Sequence, residues 1–444
     1  MSYRSTRAPA GSRSRRCSSH RSTRGRIGAV ILPLPSDLGR CAVAAACLAV
    51  ASTASAQTVP DQGTILDTLG EIRRATGAPG VTAAVAVDGE VIFSGGVGWA
   101  ELENQAPAAG VTVHNVASIS KAMTAVATLQ LVEQEALGLD DRIREHLPAL
   151  SENVDAVTIR HLLTHTAGLR NTYALSSRTV DGLVEAIVAD GPQGQLFAPG
   201  ELWSYSSAGF NLLQAVIESV SGLDFEVYMQ TRVWEPAGMP RSALDVQSRI
   251  VPRRGRGYAR DDEGNRVNAA FQDLPSLWAA GGMLSTAGDL ARLGVAINAG
   301  VLLEDSTVAQ MHEVRIGPVM EFVEGGPPRA RGFSQALGWR VATDAGGRTY
   351  INHSGAIRGV GSILINYPDD DLVIALIANI QPFDTRTHGE ALAQIFFDDD
   401  SERREGGPDT DASVGVALVD PFLGRRPPGF STAGTDFVDA CSVD

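Results

Sequence analysis

Strand-like segments lie towards the two ends of this chain, and a long helical stretch separates them. Val81–Val87 and Val91–Val97 are strand-like runs joined by Asp88-Gly89, a strong two-residue hairpin signal. Strand character returns in Ala336–Ala342, Arg348–His353, Val360–Tyr367 and Leu372–Ile380, with a clear turn at Pro368-Asp369-Asp370-Asp371. Between them, Ser118 to about Ala136 reads as a helix that is apolar on nearly every side, which marks it as buried in a large core. Most of residues 140–240 also read as helical, broken at Pro148, Gly168, Pro199-Gly200 and Gly222. Further helices are expected over Asp61–Gly77 and Thr385–Phe397. This order suits a chain whose ends build one sheet while the middle forms a separate helical lobe. The fold class is therefore α+β.

The folded domain is expected over residues 57–400. Met1–Arg26 is rich in Arg and Ser without an acidic residue, Cys41–Val50 is apolar, and Ala54-Ser55-Ala56 matches a small-residue cleavage site. Together they read as a signal peptide over residues 1–56, with export to the periplasm or the exterior after cleavage near Ala56. The Arg15-Arg16 pair lies far from the apolar run, and Ala44-Ala45-Ala46-Cys47 lacks the leucine usual at a lipoprotein site. Residues 401–444 read as an acidic, disordered tail.

Removing the leader takes away nine arginines and Asp37, so 37 − 9 = 28 basic and 51 − 1 = 50 acidic residues remain, a net charge of −22. That balance argues against nucleic acid or anionic membrane as a partner. Cys17, Cys41 and Cys47 lie in the leader, so Cys441 has no partner for an intramolecular disulfide. No apolar run reaches the roughly 18 residues of a membrane span.

The 37 basic side chains comprise 36 arginines and one lysine, Lys121. A site that keeps lysine in so arginine-rich a chain needs what guanidinium cannot do, which is to lose a proton. Ser118 precedes Lys121 by one helical turn, the spacing for a hydroxyl nucleophile beside a base. Two more stretches add chemistry. Tyr205, in Trp203-Ser204-Tyr205-Ser206-Ser207, sits at a loop-to-helix junction, where neighbouring cations can make a phenol a general base. Asn352-His353-Ser354-Gly355-Ala356 lies between two strand-like runs, as a small-residue edge that can offer a main-chain N–H to an oxyanion. The stretches His161–Leu169 and Gly281–Leu290 are given structural roles, the second because Ser285-Thr286 caps an apolar helix. His161 and His165 stand at i, i+4, but no zinc-motif glutamate lies between them, and metal binding is not expected.

Taken together, these stretches resemble the penicillin-recognising serine hydrolases: class C β-lactamases, DD-peptidases, D-aminopeptidases and their esterase relatives. The resemblance covers roughly residues 61–398 and rests on Ser-x-x-Lys, Tyr-Ser-Ser and His-Ser-Gly in the family's order. It implies an antiparallel sheet beside a helical lobe, with the site at their junction and no cofactor or metal. It further implies that Ser118 is the acylated nucleophile and that Lys121 and Tyr205 share the proton work. The N–H groups of Ser118 and Ala356 would form the oxyanion hole, with Ser207, His353, Ser354 and Gly355 against substrate.

Two departures bear on substrate. Ser207 stands where the family's Tyr-x-Asn has asparagine, and a hydroxyl is shorter and less versatile than an amide. His353 stands where a lysine would hold a β-lactam carboxylate. Both weaken β-lactam recognition and leave the acylation machinery intact, with Arg358 a candidate for a compensating charge. The expected activity is hydrolysis of small esters or of D-amino-acid amides or short peptides through a Ser118 acyl-enzyme. A β-lactamase and a non-catalytic cell-wall or peptide-binding relative are the alternatives.

Overall fold

A computed structural model describes residues 59–171, 180–271 and 278–397. The expected leader and the expected tail lie outside the described residues. Asp61 opens α1 (Gln62–Thr76) by accepting the Thr64 N–H at 2.8 Å, and Gly77 closes it in the left-handed conformation. The hairpin follows as β1 (Gly80–Val87) and β2 (Glu90–Glu101). Asp88 and Gly89 both have positive φ, 50° and 76°, as the two-residue turn requires. Next come β3 (Ala106–Pro107), β4 (His114–Asn115) and the central helix α2 (Ile119–Glu133), which is buried continuously from Ile119 to Leu131.

The middle of the chain supplies α3 (Ile159–Leu163) and α4 (Ser207–Ser221). It also holds short strands that the sequence pattern does not announce, among them β5 (Ala243–Leu244) and β6 (Met283–Ser285), of which β6 lies between β4 and β5 and pairs with both. Thr286 then caps α5 (Ala287–Asn298), accepting the Asp289 N–H. The C-terminal strands are β7 (Ser334–Gln335), β8 (Arg340–Thr343), β9 (Thr349–Ile357), β10 (Val360–Tyr367) and β11 (Leu372–Ala378), and α6 (Thr385–Gln394) follows.

The chain's two ends do build one sheet. Its order is β7-β8-β9-β10-β11-β1-β2-β3, antiparallel throughout. Strand alternation divides the core in two. Val81, Ala83, Val85 and Val87 of β1 join Leu372, Ile374 and Leu376 of β11 beneath α1 and α6. Ala84, Ala86, Val373, Ala375 and Ile377 face the other way, into the core formed with α2, α4 and α5. Both faces are covered, so β1 and β11 are buried along their whole lengths.

Two expected strands differ in extent. Residues 336–339 form a turn instead, with the Ala336 N–H donating to the Trp339 carbonyl. Gly338 is left-handed there (φ 75°), and its N–H donates to the Leu163 carbonyl at 2.9 Å. A Cβ on Gly338 would fall 2.3 Å from that of Ala125, so this tight docking on α2 admits only glycine. The apolar residues of the segment are buried against helices rather than in a ladder. Strand β9 continues to Ile357, which puts His353-Ser354-Gly355 inside a strand instead of beyond its end.

Candidate active site

Three segments converge where the second half of β9 meets the N-terminus of α2. The Val116 N–H donates to the Met283 carbonyl, tying the approach to Ser118 onto β6. Ala117 follows at φ 50°, a left-handed conformation uncommon for a residue with a Cβ. Its N–H donates to Asn115 Oδ1 at 2.8 Å, which holds the bend. Ser118 is the N-cap of α2, yet its side chain makes no capping bond. The hydroxyl is therefore left to the Lys121 amine, 3.5 Å away, at the positive end of a buried helix.

Lys121 lies one turn on, with no exposed surface. Its Nζ donates to the Ala280 carbonyl at 2.6 Å and Ser207 Oγ at 3.2 Å, and stands 3.5 Å from Ser118 Oγ. Burial drives its pKa down and Arg340 adds to the fall, while Tyr205 opposes it. Among the described residues it has no carboxylate partner. The result is an amine prepared to be neutral beside a serine hydroxyl.

Tyr205 immediately precedes Ser206, which caps α4 by accepting the Gly209 N–H. Its hydroxyl is buried and makes no hydrogen bond of normal length. Burial raises the phenol's pKa, but Lys121 and Arg340 together with weaker polar contacts from Lys121 and Ser118 outweigh it, and the net shift is downward. Lys121 Nζ lies 4.7 Å from the ring centroid. On the other side His165 packs against the ring, centroids 4.5 Å apart. His165 Nδ1 accepts the Ser206 N–H at 3.1 Å, and the Ser204 N–H donates to the His165 carbonyl. His165 thus fixes the backbone on both sides of Tyr205.

Strand β9 completes the site. A Cβ on Gly355 would lie 2.2 Å from the Val116 carbonyl oxygen and 3.0 Å from the Ala117 Cβ, so glycine alone lets the strand reach the segment that leads to Ser118. His353 is buried, and its Nδ1–H donates to the Ser354 carbonyl at 2.8 Å. Burial, then Arg340 and Lys121, hold its pKa well below the usual histidine value, so the ring is neutral near pH 7. Ser354 Oγ accepts from Arg340 Nη1 at 2.7 Å. The β8 ladder ends at the Arg340–Asn352 pair, so from His353 to Ile357 this strand has a neighbour only in β10. Alternate main-chain amides on its other edge lack a ladder partner.

A protein-family model described as Beta-lactamase matches residues 65–396. The chain belongs to that family. It is 24% identical over 444 aligned positions to the human serine β-lactamase-like protein LACTB, mitochondrial, which spans 76% of this chain and 80% of that protein. It is 28% identical to a D-aminopeptidase of Gluconobacter oxydans (strain 621H), over 68% of this chain and 56% of the other. Among solved structures, the octameric penicillin-binding protein homologue from Pyrococcus abyssi aligns with a TM-score of 0.66 at 24% identity, covering 76% of this chain and 78% of that one. The antiparallel sheet with its helices is the fold of these Beta-lactamase relatives.

Within this family frame, Ser118, Lys121 and Tyr205 come together with Ser207 and with His353–Gly355. Two participants escaped the sequence. His165 lies in a stretch taken as structural, and only its packing against Tyr205 reveals its part. Arg340 carries no motif, but strand pairing sets it beside residue 352, one strand over from the triplet. Arg358 is elsewhere: it sits in the β9–β10 turn and lines a separate cavity. His161 Nδ1 accepts the Thr158 N–H, so each histidine of the i, i+4 pair is engaged with backbone.

Proposed function

We propose that the protein is a serine hydrolase that forms a Ser118 acyl-enzyme with small esters or with D-amino-acid amides and short peptides. The observation that carries this reading is the buried Lys121 amine, without a carboxylate partner among the described residues, 3.5 Å from the Ser118 hydroxyl. Ser118 Oγ attacks the carbonyl carbon, and its proton passes to the Lys121–Tyr205 pair, which titrates as a unit. The tetrahedral oxyanion rests on the N–H groups of Ser118 and Ala356, the second on the open edge of β9. The alcohol or amine leaves with the pair's proton. Water, activated by the same pair, then releases the acid and regenerates Ser118.

Substrate preference follows from which charges surround this centre. His353 is neutral and cannot hold a carboxylate as a lysine would. Arg340 is a cation with no ion pair among the described residues, and its one hydrogen bond, to Ser354, leaves donors to spare. Ser207 uses its hydroxyl on Lys121, which leaves little for a substrate amide. These features favour esters and compact amides, with Arg340 receiving an anionic group where one is present. The relatives include a D-aminopeptidase, which agrees with the amide branch of this reading.

A panel of p-nitrophenyl butyrate, D-alanyl p-nitroanilide and a chromogenic cephalosporin tests it, read with intact-mass detection of a fluorophosphonate adduct on Ser118. Turnover of the ester or anilide above the cephalosporin is expected. Rapid cephalosporin turnover alone would favour the β-lactamase reading, and no adduct on Ser118 would favour a binding protein.

We propose in addition that residues 1–56 direct export and that residues 57–400 form the catalytic domain, a division testable by N-terminal sequencing of the secreted protein. No helix among the described residues is long and apolar enough to cross a membrane.

A further inference from the structure

A cavity of about 290 Å³ lies beyond the tip of the β9–β10 hairpin, and neither Ser118, Lys121 nor Tyr205 lines it. Its walls include His114 and Asn115 of β4, Asp245, Arg254 and Arg256, and Arg358 of the hairpin turn. Three guanidiniums and one carboxylate give this lining 3 − 1 = +2, on a chain whose net charge is −14. The charges are unequally matched. Arg254 pairs with Asp245 at 2.8 Å, but Arg256 meets Glu101 and Glu103 only at 3.9 and 3.6 Å. Arg358 has no ion pair or hydrogen bond among the described residues. His114 is 3% exposed, its Nδ1 has no partner, and burial holds its pKa down to about 4. It is a neutral buried ring with unused hydrogen-bonding capacity.

We propose that this cavity binds a small oxyanion, a phosphate or a carboxylate, held by Arg358 and Arg256 beside His114. Arg358, which has no ion pair among the described residues, and Arg256, whose carboxylate partners stand beyond hydrogen-bond distance, can recognise such a group through charge-assisted, forked hydrogen bonds. The cavity is also joined to the nucleophile. Asn115 Nδ2 donates to Asp245 Oδ2 at 3.1 Å, and Asn115 Oδ1 accepts the Ala117 N–H one residue before Ser118.

The test is calorimetric titration of inorganic phosphate and of succinate into Ser118→Ala protein, which keeps the cavity and cannot be acylated. Saturable one-to-one binding is expected. Arg358→Ala with Arg256→Ala should weaken it by roughly tenfold or more with the melting temperature little changed. Arg340→Ala should leave it as it was. Absence of saturable binding, indifference to the two cavity substitutions, or loss on Arg340→Ala overturns the proposal. These outcomes do not depend on whether Ser118 reacts, so they separate from the hydrolase reading. The anion's source is read from kcat/KM for p-nitrophenyl hemisuccinate relative to the butyrate ester. A ratio that falls in Arg358→Ala protein assigns the anion to the substrate's acyl end, and an unchanged ratio assigns it to a free ion.

Discussion

The Arg340 guanidinium stands 5.8 Å from the centroid of the Tyr205 ring. It lowers the pKa of both Tyr205 and Lys121, although burial is the larger influence on each. The direction of the first prediction is therefore independent of which group takes the proton. Activity needs the pair deprotonated, and a neighbouring cation moves that deprotonation to lower pH. Arg340→Gln should shift the acid limb of kcat/KM for a neutral ester to higher pH. A pH–rate profile that stays in place, or moves down, would remove Arg340 from the electrostatics of the site.

Lys121→Arg keeps the positive charge and removes the ability to lose it. Near-complete loss of turnover is expected, about a thousandfold or more, on the scale of losing an activated nucleophile. Circular dichroism should show a folded protein. Retained turnover would sink the mechanism.

Ser207 Oγ accepts from Lys121 Nζ at 3.2 Å, at the position where a Tyr-x-Asn pattern carries asparagine. Ser207→Asn restores an amide that can meet a substrate carbonyl. Cephalosporin acylation should rise relative to p-nitrophenyl ester hydrolysis, measured as the ratio of the two acylation rates. Equal change in both rates would show that the hydroxyl only holds Lys121.

Gly355→Ala introduces a Cβ 2.2 Å from the Val116 carbonyl oxygen. The clash is with backbone, so the strand or the approach to Ser118 must move. Overpacking of this kind costs about 1–3 kcal/mol, and a denaturant midpoint measures it. The loss of kcat should exceed what the stability change explains, because the displaced segment leads to Ser118, the proposed nucleophile. Wild-type kinetics in this variant would separate the strand contact from catalysis.

The sheet and the grouping of Ser118, Lys121 and Tyr205 were legible in the sequence for different reasons. Near-continuous apolar runs in Val81–Val87 and Leu372–Ala378, with Asp88-Gly89 between the first pair of strands, are local information that survives into the fold. Lys121 was legible because 36 arginines made one lysine conspicuous, and Ser118 because one helical turn separates them. The order of elements then suited a sheet built from the two ends. What the tertiary structure decided is electrostatic and long-range. Arg340 acts on Tyr205 because β8 pairs with β9, a register no local pattern announces. His165 acts through its stack on Tyr205 and its bond to Ser206, across 41 residues of chain. His353 could be either charge state in a sequence, and burial beside Arg340 and Lys121 makes it neutral. Residue types set which side chains are capable of the chemistry, whereas a pKa depends on the charges and the desolvation that packing supplies.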